Sequence, residues 1–80
     1  MKIPRDIGGE DLARLLSKYG YQITRQKGSH VRLTTKINGE HHITIPNHKP
    51  LKIGTISGLL TDISGYLKID KQALIIELFK

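Results

Sequence analysis

Apolar residues near the start of the chain recur at the spacing of one helical face. They occupy positions i, i+3, i+4 and i+7, which here are Leu12, Leu15, Leu16 and Tyr19. Glu10 and Asp11 fall in the first turn, where acidic side chains favour the positive end of a helix. We therefore predict a first helix that begins at Gly8 or Gly9 and ends at Gly20.

Between residues 21 and 46 apolar and polar positions alternate, which is typical of strands with one buried face. The apolar members of this alternation are Tyr21, Ile23, Val31, Leu33, Ile43 and Ile45. Turn signals divide the segment at Gly28 and at Asn38-Gly39, and Pro46 ends it because proline cannot donate to a ladder. We predict three antiparallel strands joined as two hairpins, the second with a short turn.

After residue 50 the apolar residues return to helical spacing, at Ile56, Leu59, Leu60 and Ile63. This pattern predicts a second helix, which Gly65 ends. Asp70 can cap a third, short helix. The apolar residues that we expect to pack this helix on the rest of the domain are Leu74, Ile75, Leu78 and Phe79.

The predicted elements follow the order α-β-β-β-α, with a further short C-terminal helix. The simplest arrangement that buries their apolar residues is a three-stranded antiparallel sheet covered on one face by helices. We expect an α+β fold in a single domain over residues 1–80. A domain of this size has little room for an enclosed cavity, which favours a site on the surface.

The formal net charge of +6 is concentrated in the middle of the chain. Residues 18–52 carry seven lysines and arginines against the single acid Glu40, whereas cations and acids balance over the rest of the chain. Such segregation favours a polyanionic partner, above all RNA. Anionic lipid fits less well, because the basic segment is predicted to form strands and turns rather than an amphipathic helix.

Composition also excludes several classes of chemistry. The chain has no cysteine, and therefore no disulfide framework and no thiol nucleophile. Since Glu40 is the one carboxylate of the basic segment, we expect no metal site and no small-molecule cofactor. The start of the chain, Met1 to Arg5, precedes no apolar run of signal-peptide or membrane-span length, and so we expect a cytoplasmic protein without membrane association.

A histidine follows a glycine turn in the run Arg25-Gln26-Lys27-Gly28-Ser29-His30. An imidazole can take the proton of an RNA 2′-hydroxyl as that oxygen attacks the adjacent phosphorus, which would make His30 the general base. Gly28 allows the phosphate to approach backbone amides, Ser29 can donate a hydrogen bond, and Lys27 or Arg25 can stabilise phosphoryl charge. The products would be a 2′,3′-cyclic phosphate and a 5′-hydroxyl, and DNA would be spared.

Other residues of the basic segment have candidate roles around this histidine. Further candidate phosphate contacts are Arg32, Lys49 and Lys52. His48 is a candidate donor of a proton to the leaving oxygen, the alternative being a loop histidine bonded to backbone. His30 itself could instead contact phosphate without proton transfer. His41 and His42 are neighbours on a strand and point to opposite faces, and we interpret them as ordinary strand residues.

Three short elements occur in a specific order, namely Gly28-Ser29-His30, Ile45-Pro46-Asn47-His48 and Leu51-Lys52-Ile53-Gly54-Thr55. Together with the hairpin between them, they resemble the HicA family of small bacterial toxins over roughly residues 7 to 65. The resemblance implies a fold like the double-stranded-RNA-binding domain and an mRNA interferase of a toxin-antitoxin pair. It matches His30 to the family's catalytic histidine and implies a HicB-type antitoxin that covers the active surface.

Two other classes of function remain open from the sequence. A non-catalytic RNA-binding module of the same fold would hold phosphates on the same basic strands without cleaving the RNA. A protein-interaction domain would instead dock an acidic partner on this surface, with salt-sensitive binding and no affinity for RNA. Cleavage of RNA separates an enzyme from the first alternative, and affinity for RNA separates it from the second.

Overall fold

A computed structural model describes residues 3–80. Met1 and Lys2 lie outside the described residues; they begin both the predicted domain and the N-terminal segment in which we looked for a signal peptide. The elements are α1 (Gly9–Leu16), a 3-10 turn (Ser17–Tyr19), β1 (Gln22–Lys27), β2 (His30–Thr35), β3 (His41–Pro46), α2 (Ile53–Leu67) and α3 (Lys71–Phe79). The predicted α-β-β-β-α order with a third helix is confirmed, as is the α+β class.

Helix α1 begins at the predicted Gly9 and ends at Leu16, and the 3-10 turn that follows continues to the predicted end at Gly20. Gly8 precedes its first turn, and the Gly8 amide donates to Asp11 Oδ2 at 2.9 Å, which satisfies a backbone group at the helix start. At the other end the chain tightens into the 3-10 turn and then reverses at Gly20, whose φ of 82° is left-handed. Leu12 and Leu16 are fully buried, as their helical spacing predicts.

The sheet is antiparallel with strand order β1-β2-β3. Val31 pairs with Ile45 and Leu33 pairs with Ile43, so that four buried residues of β2 and β3 share one face. The helices cover this face, and the core contains buried apolar residues from every helix and from both of these strands. The opposite face of the sheet is left to solvent, which provides the surface site that a small domain requires.

The β2–β3 connection is longer than a two-residue turn. Thr35 pairs with His41, so the loop comprises residues 36–40, with Gly39 at a φ of 94°. A two-residue Asn38-Gly39 loop would shift the register by one position and place Leu33 opposite a residue of the solvent face. The longer loop keeps the apolar positions of β2 and β3 opposite each other, because burial of one face determines register.

Strand β1 departs from the predicted alternation at Ile23. The β1–β2 register shifts between Ile23 and Arg25, which is a bulge with Thr24 as the extra residue. Ile23 pairs with Leu33 and therefore faces the helical layer, but 56% of Ile23 is exposed because β1 is an edge strand that α1 does not fully cover.

Helix α2 continues past Gly65, and the prediction that this glycine ends the helix is wrong. The helix ends at Leu67, and Lys68 takes the left-handed conformation with a φ of 58°. A glycine inside a helix costs only about 1 kcal/mol relative to alanine. The turn beyond it makes contacts that offset this cost: the Tyr66 hydroxyl donates to the Gly39 carbonyl at 2.6 Å, and Leu67 packs against the core.

Helix α3 is capped and packed as predicted. Asp70 Oδ2 accepts a hydrogen bond from the Ala73 amide at 3.2 Å, and three of the four predicted core residues are buried while Phe79 is partly buried. Lys71 Nζ donates to Ser57 Oγ at 2.7 Å and to Thr61 Oγ1 at 2.8 Å on α2. These bonds fix α3 on the side of α2.

Candidate active site

The solvent face of the sheet presents two rows of basic side chains at the β1–β2 hairpin. Lys27 pairs with His30, which pairs in turn with Pro46 on β3. One step along the strands, Arg25 pairs directly with Arg32. Because Val31 and Leu33 point inward, His30 and Arg32 point outward, and their cross-strand partners share that face. The fold therefore gathers four of the sequence-predicted site residues on one surface.

A two-residue turn sets the position of His30. Gly28 has a φ of 57°, whereas Ser29 does not take a positive φ, which is the pattern of a type II′ hairpin turn. This conformation requires glycine at the first central position, because an L side chain there is strained. His30 is the first residue of β2 and is exposed. The turn thus delivers an accessible imidazole beside the Lys27 side chain.

The loop after β3 is attached to this turn and to α1. The Asn47 amide donates to the Ser29 carbonyl at 2.6 Å, and the Gly9 amide donates to the His48 carbonyl at 3.0 Å. A Cβ at Gly9 would lie 2.7 Å from the Pro46 carbonyl oxygen, so α1 approaches the loop closely only because this residue is glycine. The loop is therefore held at the same end of the sheet as His30.

This attachment brings the basic residues after β3 to the end of the sheet where His30 lies. His48 and Lys52 line a cleft of about 270 Å³ with Thr55, next to Pro46, the cross-strand partner of His30. Lys49 lies against Gly8 at the start of α1, since a Cβ built at Gly8 would be 3.1 Å from the Lys49 Cβ. Among residues 3–80 no hydrogen bond joins the side chains of His30 and His48.

The predicted phosphate-binding cations have no acidic partners within the part of the chain that the structure describes. The ion pairs of residues 3–80 involve other cations. The predicted phosphate-binding residues that form none are Arg25, Lys27, Arg32, Lys49 and Lys52, and outside this set Arg5, Lys68 and Lys71 also form none. Two arginines directly opposite each other on adjacent strands repel, which costs stability. A surface that keeps unpaired cations at such a cost is suited to bind an external polyanion.

A second polar cluster on the solvent face was not predicted from the sequence. His42 Nε2 donates to Glu40 Oε2 at 2.8 Å, and His42 Nδ1 lies 2.7 Å from Thr34 Oγ1. Thr34 Oγ1 lies in turn 2.8 Å from Thr24 Oγ1, so the chain of hydrogen bonds crosses all three strands. We call these four residues the Glu40 ladder. The sequence signal that could have revealed this cluster is the hairpin centred on Asn38, because it places Thr34 opposite His42.

His41 lies on the opposite face, which confirms that the two neighbouring histidines do not act together. Its ring stacks on Tyr66 with centroids 4.5 Å apart, and Nδ1 lies 2.7 Å from the Tyr21 hydroxyl. Nε2 lies 3.4 Å from Asp62 Oδ1 on α2. Burial raises the pKa of the Tyr21 phenol well above its ordinary value. His41 therefore joins the sheet to α2 rather than to the site.

A family model described as the HicA toxin of bacterial toxin-antitoxin systems matches residues 9–64 of the 80-residue chain. The chain belongs to the HicA toxin family. Membership assigns it to a bacterial toxin-antitoxin system and implies an antitoxin partner. The part matching the HicA toxin contains α1, the sheet and most of α2, and every predicted site residue from Arg25 to Lys52 falls within it.

Searches of the curated proteins and of the solved structures returned no significant match to this HicA-family chain. Helix α3 lies beyond the segment matched to the HicA toxin, yet Leu74, Ile75 and Leu78 belong to the same core.

Within residues 3–80, no helix has the length and apolar content needed to cross a membrane. The same residues include no group of three or more histidines and carboxylates that could hold a metal ion.

Proposed function

We propose that this HicA-family chain is a metal-independent endoribonuclease that cleaves mRNA with His30 as general base. The observation that carries the proposal is the position of His30, which is exposed at the start of β2 beside Lys27. Arg25 and Arg32, which form no ion pair among residues 3–80, lie next along the same face. A base and a phosphate-binding surface share one face there. As a toxin of a bacterial toxin-antitoxin system, the enzyme acts on its substrate in the cytoplasm.

The reaction is an internal transesterification. A nitrogen of the His30 imidazole takes the proton of the 2′-hydroxyl, and the 2′-oxygen forms a bond to the adjacent phosphorus as the bond to the 5′-oxygen breaks. The 5′-oxygen leaves with a proton, for which His48 is the candidate donor. The products are a 2′,3′-cyclic phosphate and a free 5′-hydroxyl, and a 2′-deoxy strand has no nucleophile for this step.

Charge stabilisation comes from the basic residues around His30. Lys27, directly across from His30, is placed to hold a phosphoryl oxygen of the reacting group, and the open side of Gly28 leaves room for the phosphate near Ser29. Lys49 and Lys52, on the loop bonded to Ser29, extend the positive surface along the strand of RNA. Positive charge already present at the site attracts the negative charge that develops on the phosphoryl oxygens, which favours the transition state.

The antitoxin of the pair is of the HicB type and inhibits the enzyme by covering His30. The exposed, unpaired cations of the solvent face favour a partner that supplies carboxylates to this surface. Such a partner competes with RNA for the same charges. Full cleavage activity in a tight toxin-antitoxin complex would contradict this arrangement.

The test is cleavage of an end-labelled single-stranded RNA in EDTA by the wild type and by His30→Ala, with the product ends analysed. We expect cyclic-phosphate ends from the wild type, no cleavage by His30→Ala and no cleavage of a 2′-deoxy strand. Gln72→Ala, an exposed change on α3, is the control and should cut like the wild type. His48→Ala should cut more slowly if His48 protonates the leaving group.

The contrary outcomes point to specific alternatives. If wild type and His30→Ala bind intact RNA equally and neither cuts it, the chain is a non-catalytic RNA-binding module. If neither binds RNA while an acidic protein partner binds in a salt-sensitive manner, the basic face serves protein interaction alone. Cleavage that stops in EDTA would contradict the metal-independent reaction.

A further inference from the structure

The Glu40 ladder places one fixed carboxylate on a surface that is otherwise basic. Glu40 is the single acid of residues 18–52, and it lies at the rim of a shallow cleft of about 460 Å³ with Arg25, Arg32, Lys36 and His42. A negative charge at this position lowers the affinity for any phosphate chain. Solubility does not need it there, because a basic surface is already well solvated.

The carboxylate is held in one orientation rather than left mobile. Its Oε2 accepts the hydrogen bond from His42, and His42 is fixed in turn through Thr34 and Thr24, which belong to the neighbouring strands. The other oxygen, Oε1, lies 4.0 Å from Lys36 Nζ, which is too long for a strong hydrogen bond. Among residues 3–80, Oε1 accepts no hydrogen bond, and Glu40 lines the same cleft as Arg25 and Arg32.

We propose that Glu40 Oε1 accepts a hydrogen bond from the exocyclic amino group of an RNA base, and so determines which nucleotide binds at the Arg25–Arg32 cleft, farther along the sheet from His30. Arg25 and Arg32 hold the phosphate of that nucleotide. The inference rests on the proposed function, because it takes RNA as the ligand of this face. It adds a base-reading subsite to a surface whose other contacts are to the phosphate chain.

The chemistry of the bases determines the preference. An ionised carboxylate only accepts hydrogen bonds, and adenine, cytosine and guanine each carry an amino group that donates. Uracil has a carbonyl oxygen, O4, where cytosine has its amino group, and this oxygen repels a carboxylate that approaches the same position, while the N3–H donor of uracil lies at the neighbouring ring atom. Hypoxanthine, the base of inosine, is guanine without its amino group and provides the closest comparison. We expect adenosine, cytidine and guanosine to bind more tightly than uridine and inosine.

The test measures binding rather than cleavage, so that it does not depend on catalysis. His30→Ala keeps the RNA intact, and short oligouridine strands with one central nucleotide replaced are titrated against it by fluorescence anisotropy. With Glu40 present, the strands that carry an amino-bearing base should bind about tenfold more tightly than those with uridine or inosine, as one charge-assisted hydrogen bond allows.

The Glu40→Gln variant, in the same background, gives the sharper result. His42 Nε2 donates a proton and therefore selects the amide oxygen, which turns the amide NH2 group toward the ligand. We expect uridine to gain affinity, because its carbonyl now meets a donor, and the amino-bearing bases to lose their advantage. Glu77→Gln, an exposed acid on α3, removes the same charge away from the sheet and should leave the preference unchanged.

Each remaining outcome has one meaning. Equal binding of all the strands in the presence of Glu40, or a preference that survives Glu40→Gln, overturns the base-reading role while RNA binding stands. A uniform loss of affinity in Glu40→Gln means that the ladder only supports the sheet, and this also overturns it. Failure of every strand to bind overturns the proposed function itself and the inference with it.

Discussion

Arg25 and Arg32 lie directly opposite each other on adjacent strands, on the solvent face of the sheet, and neither has an acidic partner within residues 3–80. A cross-strand pair of like charges opposes the pairing of β1 with β2. Under the proposed function, the phosphates of bound RNA would lie between the two guanidinium groups and relieve the repulsion. The pair lowers the stability of the free protein, and RNA binding is expected to offset this cost.

Removing one arginine should therefore stabilise the fold and weaken RNA binding. We expect Arg32→Gln to raise the free energy of unfolding by up to about 1 kcal/mol in urea. The slope of log affinity against log salt should fall by about one, because one phosphate contact is lost. Arg14→Gln, at an exposed position of α1 away from the solvent face of the sheet, is the matched control and should leave this slope unchanged. A destabilised Arg32→Gln with an unaltered salt slope would contradict both parts.

A side chain at Gly28 should strain the turn before His30 and destabilise the fold. Gly28→Ala meets no neighbour within 4 Å, so its cost is the left-handed backbone alone, about 1–2 kcal/mol in the free energy of unfolding. Because the turn positions His30, we also expect a slower cleavage rate. Gly58→Ala is the control: it adds the same methyl group in open space within α2 and should stabilise the protein by up to about 1 kcal/mol. Equal effects of the two variants would exclude a conformational cause.

Replacing Gly9 with alanine should destabilise the protein, whereas the same change at an ordinary helical glycine stabilises it. Alanine normally stabilises a helix by up to about 1 kcal/mol relative to glycine. At Gly9 the added Cβ would meet the Pro46 carbonyl oxygen at 2.7 Å and the Asn47 Cα at 3.0 Å, both of which are backbone atoms. We expect Gly9→Ala to lower the midpoint of thermal unfolding and to weaken RNA binding through the displaced loop. A higher midpoint would show that α1 does not depend on this close approach.

The helices and the strand order could be predicted because each rests on local periodicity. Leu12 and Leu16 at helical spacing, the glycine turn before His30 and the Asp70 cap are all short-range signals, and the structure contains each of them. The prediction that Gly65 ends α2 is wrong because the helix is stabilised beyond this residue by the hydrogen bond from Tyr66 to Gly39, which is far away in sequence. The alternation predicts Ile23 on the buried face of the sheet, and more than half of it is exposed because such a pattern does not show how far a helix covers an edge strand.

Part of the candidate site could be predicted from local sequence signals, and part depends on contacts between residues far apart in the sequence. The charge of the segment and the glycine turn beside His30 are visible in the sequence, and they predicted the basic face. The Glu40 ladder depends on the register of three strands, one of which contains a bulge at Thr24. A one-residue error in the β2–β3 loop would separate Thr34 from His42, and the length of that loop follows from burial of the opposite face.

Tyr21 should make the protein sensitive to alkali. Its buried phenol has a raised pKa in the folded state, so its contribution to stability is complete below pH about 10 and is lost as the pH rises through the folded pKa. At pH 7, Tyr21→Phe should be less stable by about 1–3 kcal/mol, because His41 Nδ1 loses its partner. Above pH 10 the difference should shrink, since phenylalanine does not ionise. Urea unfolding followed by circular dichroism measures both values, and a constant difference would contradict the assignment.

The position of β1 at the edge of the sheet has a consequence for solubility. An edge strand offers unpaired amides and carbonyls to a second copy of the same chain, and lysine or arginine side chains on such a strand discourage that pairing. Arg25 and Lys27 occupy this edge. Variants that neutralise both residues to test RNA binding should therefore begin to self-associate, because the charges proposed to bind RNA also keep the free molecules apart.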